Sequence, residues 1–332
     1  MPMAFVCILG PLPLLMDMLS IVVPCYRNED NVLEAFDRLR EMEHRLPTDV
    51  TVEYVFVDDG SDDGTYAALL KAQAMLPDRT ALIKLTRNVG VYNALLAAFG
   101  HARGDCVAVI PPDLQEPVEL IPGMFDHWRS GIPVIMTVRA GREDGLLERI
   151  GAWIFHRTMR LVVRRDLPSG GYGTGLMDRK VMEDLLRMGE KNSHTLLLLA
   201  WLGYPHLVVP YVRQKRERGR SGWSLTKKLK LFIDSVVAFS YLPVRLITLI
   251  GVGLGVLSLV YAATVLFSAS VDGGAGGRGW PSLMIVLLLT SSFQMIALGV
   301  LGEYLWRTLD SVRARPPFVV ERTLDERVNS QE

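Results

Sequence analysis

The chain changes character along its length. Between residues 19 and 212, short apolar runs alternate with stretches whose apolar residues recur at helical spacing. Leu19–Val23, Val52–Val57, Ala81–Leu85, Cys106–Ile110, Val134–Val138 and Leu207–Tyr211 predict strands, each a short apolar run set off from a helical stretch. Helices are predicted between them. Val32, Phe36, Leu39 and Leu46 follow the cap-forming segment Asn28–Asn31, and Tyr66–Met75, Asn93–Ala102 and Val118–Arg129 repeat the pattern. Alternation of this kind, with strands that are apolar on both faces, predicts a mainly parallel α/β sheet. The segment has no internal repeat.

Beyond residue 212 the pattern is different. Leu246–Val271 and Gly279–Gly302 contain no charged residue. At about 1.5 Å per residue, each helix would be long enough to cross a hydrocarbon core of about 30 Å. The glycine-rich linker Asp272–Arg278 suits a tight hairpin. Basic residues crowd the approach to the first run (Arg213, Lys215, Arg216, Arg218, Arg220, Lys227, Lys228, Lys230 and Arg245) and follow the second (Arg307, Arg313 and Arg315), while the linker holds only Arg278. Both chain ends are therefore expected in the cytoplasm, with a multi-pass anchor in the inner (plasma) membrane. Leu225–Leu242 reads as an interfacial helix, because Leu229, Phe232, Ile233, Val236 and Val237 fall opposite Lys227, Lys228 and Lys230. Gly251 and Gly255 permit close helix contact, and Ser291, Ser292 and Gln294 are expected to face protein rather than lipid. A two-span hairpin of this kind could pack as a homo-oligomer. The predicted organisation is a cytoplasmic domain at 19–212, a basic segment and interfacial helix at 213–242, two transmembrane helices at 243–306 and a cytoplasmic tail at 307–332.

Composition narrows the function. Of 332 residues 49% are apolar, and 36 basic residues balance 36 acidic ones, which excludes a disordered chain and does not indicate a nucleic-acid partner. Cys7, Cys25 and Cys106 have neither metal spacing nor a disulfide framework, so a reduced, cytosol-facing chain is expected. Met1–Leu15 is apolar but lacks a basic leading region, which argues against a signal peptide and leaves Met1, Met16 or Met18 as the start.

Open α/β sheets bind ligands beyond the carboxyl ends of their strands, so the polar segments there are the places to look. The first strand ends in Pro24-Cys-Tyr26-Arg-Asn-Glu-Asp30, without the glycine pattern of a dinucleotide or P-loop site. The second ends in Asp58-Asp59-Gly60-Ser61, followed by Asp62-Asp63-Gly64-Thr65. The first pair of carboxylates can accept hydrogen bonds from a nucleobase or ribose, and the second pair can cap a helix. The fourth ends in Pro111-Pro112-Asp113-Leu114-Gln115-Glu116-Pro117. There a carboxylate and an amide oxygen two residues apart can share a hard cation such as Mg²⁺.

In this order, Val-Pro-x-Tyr, Val57-Asp-Asp-Gly-Ser61, Thr86-Arg87-Asn88-Val89-Gly90 and Asp113-Leu-Gln-Glu-Pro117 resemble the family 2 glycosyltransferases. Arg216-x-x-Gly219-x-Ser221-x-Trp223 and the apolar hairpin are similar to the polyprenyl-phosphate branch, the relatives of dolichyl-phosphate mannose synthase. The resemblance spans about residues 19–320. It implies an A-type, Rossmann-like nucleotide-sugar-binding fold, a nucleotide-sugar donor, a polyprenyl phosphate acceptor and a divalent cation, Mg²⁺ or Mn²⁺. On the same resemblance, Pro24, Tyr26, Asp58 and Asp59 hold the nucleoside, and Arg87 and Asn88 support its pocket. Asp113 and Gln115 serve the cation. Arg139 and Arg216 contact phosphates, with Asp113, Arg139 and Arg216 as the catalytic set and Arg216, Arg220 and Ser221 at the acceptor phosphate.

The chain also departs from the family pattern. Pro111 stands where the first Asp of an Asp-x-Asp motif is usual, so weak cation binding is expected. Gly170-Gly-Tyr-Gly-Thr-Gly175 precedes Asp178-Arg179 in place of acidic residues and an arginine, and Gly222 replaces a basic residue. These departures support a rival expectation, a catalytically impaired homologue acting as a membrane binding or assembly partner. A processive polysaccharide synthase fits less well, since the chain has no Gln-x-x-Arg-Trp segment and only two apolar runs. A transporter fails for the same shortage of spans.

Overall fold

The computed structural model describes residues 16–139, 157–158, 160, 172–189, 195–212, 242–271 and 280–328. The chain divides into two compact units. One comprises residues up to 223 together with 317 onward, and the other comprises 224–316. The predicted basic segment and most of the interfacial helix, and with them Arg216, Arg220 and Ser221, lie outside the described residues.

The first unit is built on one sheet of eight strands. These are β1 (Asp17–Cys25), β2 (Val50–Asp58), β3 (Thr80–Leu85), β4 (Cys106–Val109), β5 (Val134–Arg139), β6 (Tyr172–Asp178), β7 (His206–Tyr211) and β8 (Val320–Asp325). They lie in the order β7-β5-β6-β4-β1-β2-β3-β8. The six strands predicted from sequence run parallel to one another, while β6 and β8 run antiparallel. The helices of this unit are α1 (Val32–Glu43), α2 (Thr65–Met75), α3 (Val91–Phe99), α4 (Leu120–Arg129), α5 (Arg179–Met188) and α6 (Thr195–Leu202).

Local chemistry explains the layers. In β1 the run Leu19–Val23 is buried, as a central strand covered on both faces requires. Along α1, Val32, Ala35, Phe36, Leu39 and Met42 form the helical stripe that docks on the sheet. Phe36 meets Tyr54 and Phe56 of β2 edge-to-face, with ring centroids 5.1 and 5.5 Å apart.

The residues after the second apolar helix do not remain a mere tail. β8 pairs antiparallel with β3, and the Thr86 N–H donates to Val319 O at 3.0 Å just beyond that ladder. Arg327 then enters the protein at 4% exposure and donates to Glu53 of β2 at 2.6 Å and to Asp325 at 2.7 Å. Glu53 also accepts the Ser20 hydroxyl and the backbone N–H groups of Arg103 and Gly104. This buried carboxylate therefore has the several donors that an interior charge needs.

The second unit contains two long helices, α7 (Leu242–Val271) and α8 (Trp280–Val312). Pro243–Tyr261 and Val286–Val312 are long and apolar enough to cross a membrane, with mean hydropathies of 2.0 and 1.6, and neither is buried within the chain. Gly251 faces the Phe293 ring, to which an added Cβ would stand 3.5 Å away, an ordinary contact, and nothing lies within 4 Å of a Cβ at Gly255, so neither position requires glycine for helix contact within the chain. Ser291, Ser292 and Gln294 are exposed in the single chain, because two helices cover only one side of each other.

Candidate active site

β1 to β5 and β7 point the same way except for the returning β6, so their carboxyl ends share one edge of the sheet. That edge collects the sequence-predicted segments. Pro24 and Tyr26 end β1, Asp58 and Asp59 end β2, Arg87 and Asn88 follow β3, Asp113 and Gln115 follow β4, and Arg139 ends β5. β4, β1, β2 and β3 are consecutive neighbours. At a strand spacing of about 4.8 Å, their loops span roughly 14 Å along that edge.

Asp58 is fully buried. Its Oδ1 accepts the Ser61 N–H at 3.1 Å, and its Oδ2 has no hydrogen-bond partner among the described residues. Burial raises its pKa, against the opposing pull of the Ser61 bonds and the Lys84 charge. Buried polar atoms are seldom left unpaired, so an orphaned carboxylate oxygen at a site edge marks a place for a ligand donor. The neighbouring Cys25 thiol is pushed up by burial and then by Asp58, which keeps it neutral.

Asp59 has a different task. Its two oxygens accept the Val89 N–H at 2.7 Å and the Gly90 N–H at 3.0 Å. Its carboxylate thus holds the β3–α3 loop. Burial is the main reason that its pKa rises to about 6, with Asp58 adding and the two N–H groups opposing. Gly60 completes the junction at φ +65°. A Cβ there would stand 2.4 Å from the Arg87 carbonyl carbon and 2.7 Å from the Asn88 nitrogen. The Asp-Asp-Gly turn and the Arg87–Asn88 backbone therefore lie in direct contact, and the side chains of Arg87 and Asn88 stand at the surface.

Tyr26 is 40% exposed, with the Arg27 guanidinium 5.5 Å from its ring centroid. The β1 and β2 loops are stitched together by several hydrogen bonds, among them three from backbone N–H groups to side chains. The Asn28 N–H donates to Thr65 Oγ1 at 2.7 Å, the Arg27 N–H to Ser61 Oγ at 3.1 Å, and the Gly64 N–H to Glu29 at 2.8 Å.

On the other flank, Gln115 is buried and its N–H donates to Asp113 Oδ1 at 3.3 Å. Among the described residues no group of three or more His, Cys, Asp or Glu side chains could hold a metal ion. Carboxylate and amide oxygens suit a hard cation, but two of them do not fill its shell, so diphosphate oxygens and water would have to complete it. The residues present thus fit a cation carried largely by its ligand. Sequence reasoning gave Glu116 and Tyr211 no role. Tyr211, the register partner of Arg139, is pushed up in pKa by burial and then by the Glu116 charge, with Arg139 opposing. Its hydroxyl is buried with no hydrogen-bond partner among the described residues, and its only signal in the sequence was a tyrosine closing a predicted strand.

Asp178 belongs elsewhere. Because β6 is antiparallel, Asp178 pairs with Cys106 at the opposite edge of the sheet. There it caps α5 through the Lys180 N–H at 2.9 Å and accepts the Trp128 indole N–H at 3.0 Å.

Comparison with known proteins agrees with this geometry. The sequence profile of glycosyl transferase family 2 matches residues 20–186. The prophage bactoprenol glucosyl transferase homolog of Escherichia coli (strain K12) is 32% identical over 305 residues, covering 92% of this chain and 98% of the relative. The undecaprenyl-phosphate 4-deoxy-4-formamido-L-arabinose transferase of Pseudomonas fluorescens is 31% identical over 310 residues, covering 92% and 89%. Among solved structures, the mannosyltransferase PcManGT from Pyrobaculum calidifontis, in complex with GDP-Man and Mn2+, superimposes with a TM-score of 0.43 at 18% identity, covering 95% of this chain and 88% of its own. Sheet order, acidic strand ends and the family match define a glycosyltransferase of the A-type fold. Within that class, the chain belongs to glycosyl transferase family 2.

Proposed function

We propose that this enzyme transfers one sugar, with inversion, from a nucleotide-sugar donor to a polyprenyl phosphate at the cytoplasmic face of the plasma membrane. The observation that carries the reading is the presence in one chain of two features. A buried, unpartnered Asp58 oxygen lies at the carboxyl edge of the sheet, and two exposed apolar helices interrupt the domain that holds it. Relatives of nearly the same length are named for transfer to bactoprenol or undecaprenyl phosphate.

In this reading Asp58 accepts a hydrogen bond from the nucleoside, with Pro24 and Tyr26 beside it. Asp59 and Gly60 hold Arg87 and Asn88 in place. Asp113 and Gln115 hold the divalent cation, which when bound supplies positive charge at the leaving diphosphate. Arg139, beside Tyr211 in the strand register, contacts the same phosphates. Arg216, Arg220 and Ser221 meet the acceptor phosphate. A phosphate monoester has a second pKa of about 6, so near neutrality its oxygen is already anionic and needs no strong general base. The protein's work is to align the two reactants and to stabilise the departing charge.

Topology supports the placement. β7 precedes and β8 follows the helix pair, yet both belong to one sheet. An even number of crossings is needed to leave that sheet and return to it, which suits two spans with both ends cytoplasmic. Reporter fusions at residue 275 and at the C-terminus should report opposite sides.

The deciding experiment incubates purified enzyme with undecaprenyl phosphate and a panel of sugar nucleotides and reads lipid-linked monosaccharide by mass. Turnover with one donor supports the reading. Absence of product with every donor, despite donor binding, favours the impaired homologue.

A further inference from the structure

Three non-glycine residues among those described have left-handed backbones: Arg27 (φ 52°), Leu114 (φ 53°) and Ala314 (φ 46°). The first two fall just beyond β1 and β4, neighbouring central strands, at the edge that holds the site. Side chains beyond glycine are strained in this region, and such strain persists only where the surroundings enforce it.

In both cases the residue's own side chain makes a contact beside the turn, although the Arg27–Asp62 pair is exposed, at 58% and 64%. Arg27 Nε and Nη2 donate to the two carboxylate oxygens of Asp62, each at 2.6 Å. The same guanidinium lies over the Tyr26 ring, and the Arg27 N–H is fixed by Ser61. Leu114 is anchored differently, by packing against the hydrophobic core. The chain reversal at Leu114 lets the Gln115 N–H reach back to the Asp113 carboxylate. A glycine at either position would adopt the turn without strain, but it would also leave the turn freely.

We propose that Arg27 and Leu114 are positioning residues whose anchored left-handed turns set the Tyr26 ring and the Asp113–Gln115 oxygen pair before the donor arrives. The inference rests on the nucleotide-sugar reading of the site. It also divides the labour. Arg27 acts on the half of the site that receives the nucleoside, and Leu114 acts on the half that receives the cation and diphosphate.

The test measures binding by full-length enzyme in nanodiscs. The probe is whichever of UDP, GDP, ADP, CDP and dTDP the wild type binds most tightly, titrated calorimetrically with and without Mn²⁺. Arg27→Gly is expected to weaken binding about 10-fold in both conditions, the factor for a competent loop populated about a tenth of the time. Leu114→Gly is expected to leave Mn²⁺-free binding unchanged and to lose about 10-fold only when Mn²⁺ is present, for the same reason. Leu114→Met keeps the anchor and should restore wild-type binding. Relief of strain should keep the melting temperature of Arg27→Gly near wild type, whereas Leu114→Gly also loses its packing on the core and should melt lower. Where glycine lowers the melting temperature, Arg27→Asn and Leu114→Asn, which tolerate the left-handed region, should lie between wild type and glycine in affinity.

Equal binding by wild type and both glycine variants overturns the inference while the site reading stands. Losses that ignore Mn²⁺ at both positions and track melting temperature also overturn it, because they describe a merely structural role. A wild type that binds none of the five nucleotides overturns the site reading, and the inference with it.

Discussion

Gly60 lies against the backbone of Arg87, so closely that an added Cβ would stand 2.4 Å from the Arg87 carbonyl carbon. The contact joins the ends of β2 and β3, and no side-chain rotation can relieve a clash with backbone. Gly60→Ala must therefore displace one loop from the other. It also places an L-residue at a left-handed φ, at a cost of roughly 1–2 kcal/mol. We expect a folded protein whose transfer rate falls about 100-fold, as for other misplacements of about 1 Å in a site. Initial rates and thermal melts on the same preparation check both parts.

The Asp59 carboxyl gives opposite pH signs for stability and function. Its folded pKa of about 6 lies above the unfolded value of 3.8. The folded chain therefore binds the proton more tightly, and this group's contribution to stability is full below the unfolded value and lost as the pH rises through 6. Protonation, however, removes an acceptor from the Val89 and Gly90 N–H groups. Donor affinity should drop as the pH falls through about 6, with no matching loss of melting temperature from this group, and Asp59→Asn should flatten the step. Calorimetric titration of donor across that range is the check. A wild-type affinity that does not vary with pH there would falsify the loop-holding role.

The last strand is clamped by charge. Arg327→Met leaves Glu53 buried without its cation, a loss of the kind that costs about 3–5 kcal/mol. Glu53→Gln together with Arg327→Met removes both charges and should recover much of that loss, since an apolar or neutral replacement of a buried pair is often tolerated. Chemical denaturation of the two variants beside wild type measures the difference.

At the cation half of the site, Asp113→Ala should abolish transfer while leaving the melting temperature near wild type, because no core volume is lost. Pro111→Asp supplies a second carboxylate one residue from Pro112. It should lower the Mn²⁺ concentration needed for half-maximal activity, provided the strand end accepts the freed φ. Activity of Asp113→Ala within a few-fold of wild type would remove Asp113 from the cation.

Beyond the described residues, Arg216→Lys tests the basic segment. An arginine fork grips phosphate bidentately where lysine offers a point charge. Loss of one charge-assisted bond of about 1.5–3 kcal/mol predicts a rate fall of about 10-fold or more with insertion unchanged. If Arg216→Lys and Arg220→Lys both match wild type at every acceptor concentration, the segment serves only to flank the membrane.

The central sheet was legible because its strands are continuous branched-apolar runs. Val52–Val57 was expected and Val50–Asp58 is found; Ala81–Leu85 was expected and Thr80–Leu85 is found. β6 and β8 were not legible, for separate reasons. Tyr172-Gly-Thr-Gly-Leu-Met-Asp178 carries glycines that lower strand propensity, yet Gly175 is needed where an added Cβ would meet Ile135 O at 2.8 Å. Val-Glu-Arg-Thr-Leu-Asp is a polar edge strand whose partner lies far back in the chain, so neither apolar pattern nor proximity announces it. In the site, residue type located Asp58 and Asp59 together but could not distinguish them. Only the hydrogen bonds separate an orphaned acceptor from one already occupied by Val89 and Gly90. The register pairing of Tyr211 with Arg139 depends on strand order, which a local pattern does not contain.

The pairing of β8 with β3 sets an order of assembly. While the chain is being made, β3 emerges early and its outer edge has no neighbour until β8 has been synthesised, after both apolar helices. At about 5–20 residues per second that interval is roughly 10–50 s. During this time the nascent sheet presents an open ladder, and the loop at Thr86 lacks its Val319 tether. On the proposed topology, the hairpin reaches the bilayer before the sheet is finished. Completion of the strand edge beside the candidate site would then wait until the chain is at the membrane where the proposed acceptor lies.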